Sequence, residues 1–124
     1  MNRFVIVAAP IIAAAAVLCG AAHAAPNTLV IAGRLVNSNG ATLYTYDKDS
    51  AGKSACVEGC AKVWPAFTAP DDAKDEGDWT VISREDGKKQ WAYKGKPVYT
   101  YSKDPKPGDA AGDNFKEVWH AIPK

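Results

Sequence analysis

Hydrophobic and polar positions alternate most clearly in two short stretches. Leu43, Thr45 and Asp47 alternate with Tyr44, Tyr46 and Lys48, and Val98 and Thr100 alternate with Tyr99 and Tyr101. A period of two built from β-branched and aromatic residues predicts a strand in each case. Both strands end at Lys-Asp, before Ser50-Ala51-Gly52 and Pro105-Lys106-Pro107-Gly108, which carry turn chemistry. Trp79 to Ser83 and Gln90 to Tyr93 flank Glu85-Asp86-Gly87-Lys88, a predicted hairpin with an Asp-Gly turn. Thr28 to Val36 reads as one further strand, ending at Asn37-Ser38-Asn39-Gly40. One or two short helices are expected, with Ser54 capping a turn that contains Cys56 to Val63 and Asp113 capping Asn114 to Val118. Thr68 to Asp78 lacks apolar periodicity and reads as a surface connection. The pattern predicts an α+β fold, mainly antiparallel β, with about six strands and one or two short helices.

The two alternating stretches are copies of one another. Shifted by fifty-five residues, Gly40-Ala41-Thr42-Leu43-Tyr44-Thr45-Tyr46-Asp47-Lys48-Asp49 falls without a gap on Gly95-Lys96-Pro97-Val98-Tyr99-Thr100-Tyr101-Ser102-Lys103-Asp104. The same shift places Val63-Trp64-Pro65-Ala66 on Val118-Trp119-His120-Ala121. An internal repeat of this kind predicts two fused, pseudo-symmetric units, about 29–70 and about 79–124, within a single domain spanning 25–124. Neither copy alone has enough apolar surface to offset its chain entropy, so the two are expected to share a core.

These residues resemble a known bacterial family, the "secreted repeat of unknown function", whose members are often described as predicted lipoproteins. The resemblance rests on the tyrosine-x-aromatic-x-x-aspartate motif at Tyr44, Tyr46 and Asp49 and again at Tyr99, Tyr101 and Asp104. It extends through Cys56-x-x-x-Cys60-Ala61-Lys62-x-Trp64-Pro65 and Arg84-x-Asp86-Gly87-x-x-Gln90-Trp91-x-Tyr93-x-Gly95. It implies export and a shared fold, and no catalytic residue comes with it. The second copy departs from the pattern by having neither cysteine.

The N-terminus agrees with export. Asn2 and Arg3 precede an uncharged apolar run from Phe4 to Leu18, too short for a comfortable membrane span, and Ala22-His23-Ala24 supplies a small-x-small cleavage pattern. Residues 1–24 therefore read as a signal peptide cleaved before Ala25. A lipoprotein signal centred on Cys19 is the competing reading, but Leu18 stands where a small residue is needed. The expected product is periplasmic or secreted, with no membrane span after cleavage. Of fifteen basic residues only Arg3 is lost with the signal, which leaves fourteen against fourteen acidic ones. With basic and acidic residues interleaved, nucleic acid is not an expected partner.

Candidate chemistry is sparse. Cys56 and Cys60 are the two thiols left after cleavage, and an oxidising compartment favours a local disulfide worth about 1–2 kcal/mol. A redox pair and a metal site compete with it, although three residues intervene and His120 is the one histidine remaining. Tyr44, Tyr46, Tyr99 and Tyr101 share one strand face and read as core, with ligand stacking as the alternative. Trp64 and Trp119 read as anchors. Asp49 and Asp104 read as acceptors for the following turns, and a proton-sharing carboxylate pair is the sharper alternative. Asp47, Asp49, Gly52 and Glu58 mimic part of a calcium loop, with Ala51 at a ligand position. The chain reads as a non-catalytic binding or interaction module of the cell envelope, with no cofactor and an envelope protein or small molecule as partner. A redox or metal-handling protein using Cys56 and Cys60 is the second reading.

Overall fold

A computed structural model describes residues 25–124, and the expected signal peptide, Cys19 included, lies outside the described residues. The elements in chain order are β1 (Thr28–Ile31), β2 (Arg34–Asn37), β3 (Tyr44–Tyr46), α1 (Gly59–Val63), β4 (Trp79–Ser83), β5 (Lys89–Tyr93), β6 (Lys96–Tyr99) and β7 (Trp119–Ala121). A 3-10 turn at Phe115–Glu117 precedes β7. The fold is mainly antiparallel β, as the alternation predicts. β4, β5, β6, β3 and β7 form one sheet in that order, and β1 pairs with β2 alone.

Three local expectations are corrected. The single strand over Thr28 to Val36 is instead a hairpin, because Ala32 and Gly33 take φ of 53° and 77° and form the two-residue turn that matches strand twist. Ser54 does not cap α1, which starts at Gly59 with Glu58 at the N-cap position and no side-chain cap. The Ser54 hydroxyl turns inward, where it lies 2.6 Å from the Tyr99 hydroxyl and accepts from Arg84 Nη1 at 3.1 Å. Asp113 does not cap the second helical turn either, since its Oδ1 accepts the amide of Ala121 at 2.9 Å.

That last contact belongs to the design of the sheet edges. Exposed edge amides invite pairing with another chain. On β7 the Ala121 amide is taken by Asp113, and on β4 the Val81 amide is taken by Asp75 Oδ1 at 2.9 Å.

The central strands bury side chains on both faces. Leu43 and Val98 join Leu35, Trp79, Trp91, Tyr93 and Ile122 in one cluster. Tyr44 and Tyr99, their immediate neighbours in sequence, point the other way into a second cluster with Cys56, Trp64 and Trp119. Tyr44 and Tyr99 face each other directly in the β3 to β6 register. Where β5 and β6 diverge, Ala66 bridges to Tyr99 and Thr68 to Gln90, so the stretch read as a surface connection begins inside the sheet.

Each cluster draws residues from both sequence copies. A fragment ending at Pro70 keeps Tyr44 and Trp64 and loses Tyr99, Tyr101 and Trp119. Thermal denaturation of that fragment, followed by circular dichroism, should show no cooperative transition. A sharp transition in the fragment alone would contradict the shared core.

Candidate functional site

The motif residues meet across the copies. The Tyr44 hydroxyl donates to Asp104 Oδ2 at 2.8 Å, and the Tyr99 hydroxyl donates to Asp49 Oδ2 at 2.6 Å. Each aspartate also accepts a backbone amide after its own strand, Asp49 from Ala55 at 2.6 Å and Asp104 from Ala111 at 2.8 Å. A carboxylate that ties down its own loop thus holds the tyrosine of the other copy. Both tyrosines are fully buried. Burial first, and then the neighbouring carboxylate, pushes both hydroxyls well above the ordinary tyrosine pKa of 10. Burial also raises Asp49 and Asp104 above the usual carboxylate value, outweighing the hydrogen bonds that favour the charged form.

Beside these pairs four rings stack in one column. Tyr46 lies on Trp119 with centroids 4.1 Å apart, Trp119 on Trp64 at 3.8 Å and 2°, and Trp64 on Tyr101 at 4.0 Å. Each motif tyrosine at the end of the column stacks on the tryptophan of the opposite copy. Tyr44 and Tyr99 close the column edge-on, Tyr44 against Trp64 at 5.3 Å and Tyr99 against Trp119 at 5.2 Å. Gly112 lets the chain pass the stack, because a Cβ there would sit 2.5 Å from Trp64 Cη2. Its amide also donates to the Tyr44 hydroxyl at 3.2 Å.

The disulfide Cys56–Cys60 is formed, with Cys56 fully buried against the column. Arg84, a residue without a role in the sequence reading, holds the disulfide loop onto the hairpin. Its buried guanidinium donates to the Cys56 carbonyl at 3.0 Å, to Ser54 Oγ at 3.1 Å and to Gln90 Oε1 at 2.9 Å, while Nε donates to Asp86 at 3.3 Å. Gln90 passes the connection on to the Val98 carbonyl at 2.7 Å. A buried cation is tolerable only with such partners.

A family described as "secreted repeat of unknown function" matches residues 33–68 and again residues 80–122. The chain belongs to that family. No curated protein and no solved structure matches it. The secreted-repeat assignment makes the chain periplasmic or secreted. No helix among the described residues is long and apolar enough to cross a membrane. In this secreted repeat the motif is read twice, and its tyrosines and aspartates are the residues that cross between copies.

The acidic positions that mimic a calcium loop diverge: Asp47 Oδ2 lies 2.8 Å from His120 Nε2, and Asp49 faces Tyr99. Among the described residues no three or more His, Cys, Asp or Glu side chains gather around one point. An open groove of about 510 Å³ runs over the ring column, lined by Lys48, Lys103, Phe115 and Lys116 together with the stacked rings. The sequence reading passed over these lysines, although Lys48 and Lys103 occupy the same place in the two copies.

The raised tyrosines set a sign for the pH dependence of stability. A folded-state pKa above the unfolded value gives stabilisation that is fully present below about pH 10 and lost as pH rises beyond it, by about 1.4 kcal/mol per pH unit per tyrosine. Urea unfolding between pH 9 and pH 12 should show this decline. Tyr99→Phe should make it shallower and should cost about 1–3 kcal/mol at neutral pH, because Asp49 loses its buried donor. An alkaline slope identical in wild type and variant would contradict the assignment.

Proposed function

We propose that the chain is an exported, non-catalytic binding or interaction module of the cell envelope, built as a single pseudo-symmetric domain over residues 25–124. The observation that carries this reading is the commitment of the motif groups. Tyr44, Tyr99, Asp49 and Asp104, the residues with the most reactive chemistry in the repeat, are engaged in hydrogen bonds with one another and with adjacent backbone. A catalytic carboxylate has to offer a free oxygen to a substrate, and both oxygens of each aspartate are already taken, one by a tyrosine hydroxyl and one by a loop amide. The repeat motif is then the framework, and contact with a partner falls to the surface it supports.

The groove over the ring column fits that role. Its volume lies within the range of about 300–1,000 Å³ common to ligand sites, and an apolar floor with a few charged groups at the rim is the usual lining. Phe115 is 36% exposed there, and the other exposed large apolar side chains among the described residues, Leu29, Val30 and Ile31, lie on β1. The redox reading is weaker for its spacing, since three residues separate Cys56 from Cys60 where a redox pair usually has two, although Cys60 is half-buried at the groove.

The test compares wild type with Phe115→Asp, each immobilised and exposed to an extract of the native envelope. Wild type should retain a component that Phe115→Asp fails to retain, with both proteins showing the same thermal midpoint. Equal retention by the two, or none by either, would contradict a groove-based module.

A further inference from the structure

The groove has a sign. Trp64 is covered on one face by Tyr101 and on the other by Trp119, and Trp119 is covered by Trp64 and Tyr46. Neither indole has a free face. Whatever the two tryptophans show to the groove is therefore ring edge, and the edge is the positive part of an aromatic quadrupole. A cation would need the faces, which are taken. Lys48, Lys103 and Lys116 stand around this floor, and no aspartate or glutamate is among the lining residues. In a chain with fifteen basic and fourteen acidic residues, that local imbalance selects anions.

The backbone at one rim is strained. Asn114, Lys116 and Glu117 take φ of 62°, 50° and 64°, a left-handed conformation that costs a non-glycine residue about 1–2 kcal/mol. The corresponding stretch of the first copy, Gly59–Val63, is an ordinary α-helical turn. The strained turn sets Phe115 beside the column, 5.8 Å from Trp64 and 5.9 Å from Tyr101, with Lys116 next to it at the groove.

We propose that this groove binds an acidic glycan, its carboxylates paired with Lys48, Lys103 and Lys116 and its sugar C–H faces against Phe115 and the partly exposed Tyr46 and Tyr101. An acidic peptide is the less favoured occupant. Extended peptides gain much of their affinity from main-chain pairing at a strand edge, and at β7 the Ala121 amide is already held by Asp113. The assignment rests on the module reading above and names its ligand class.

Titration calorimetry of the wild-type protein with a galacturonic acid hexamer tests it, with a glucose hexamer, hexaglutamate and anionic phospholipid vesicles as separate arms. The uronate should bind saturably and weaken as salt is raised, and the glucose hexamer should not bind. The combined variant Lys48→Gln, Lys103→Gln and Lys116→Gln should bind the uronate at least tenfold more weakly, with an unchanged thermal midpoint. Absence of saturable uronate binding, undiminished binding by the variant, or tighter binding of hexaglutamate or vesicles would overturn the glycan assignment. If uronate fails while the Phe115-dependent envelope component is still retained, the module reading survives without the glycan. If that component is also missing, both fall.

Discussion

Two buried tyrosine hydroxyls, each satisfied by an aspartate from the other copy, set the terms for the rest of the molecule. A tyrosine brought into a core carries a polar atom that must find a partner there, since an unmade hydrogen bond costs about 1–3 kcal/mol. Tyr44 finds Asp104 and Tyr99 finds Asp49. Because the partner is supplied by the other half, neither half can bury its tyrosine correctly alone. The four residues between tyrosine and aspartate are the length of strand and turn that carries each carboxylate around to the opposite ring.

The same exchange governs the aromatic column. In a domain of this size aliphatic side chains are too few to fill a core on both sides of a sheet, and stacked rings supply large area with two torsions each. Tyr46 on Trp119 and Tyr101 on Trp64 tie the copies together a second time. The column also dictates its surroundings: Gly112 has to lack a side chain, and the disulfide loop has to lie against Trp64. Arg84 then fastens that loop to the β4 to β5 hairpin through the Cys56 carbonyl. The second copy has no cysteines; beside the aspartate-to-loop contact that both copies share, its loop is held by the Gly112 amide on the Tyr44 hydroxyl.

Much of this was legible in the sequence because it is periodic. Alternation located β3 and β6, the Asp-Gly turn located the β4 to β5 hairpin, and the fifty-five-residue shift paired the motif residues. The crossing of the hydrogen bonds was not legible, because a repeat states which residues are equivalent and not which equivalent partner each one contacts. The expectation for Asp49 and Asp104 captured their hold on the following loop and missed the tyrosine beyond it. The caps failed for a related reason: Ser54 and Asp113 have the chemistry of N-caps, but a buried tyrosine hydroxyl and an edge amide claim them first. Ala32-Gly33 escaped notice because a two-residue turn with one glycine leaves hardly any polar break in an apolar run.

The central claim is that the two copies open and close as one unit. Native-state hydrogen exchange measures this directly, at the amides of Leu43 and Asp47 flanking β3 in the first copy and of Thr100 and Ile122 in the second, all hydrogen-bonded to backbone. Under conditions where exchange reports equilibrium opening, the slowest amides of both copies should share one opening free energy, equal to that of global unfolding. A lower, separate opening free energy for either copy would show that it unfolds while the other stays folded, and would contradict the account.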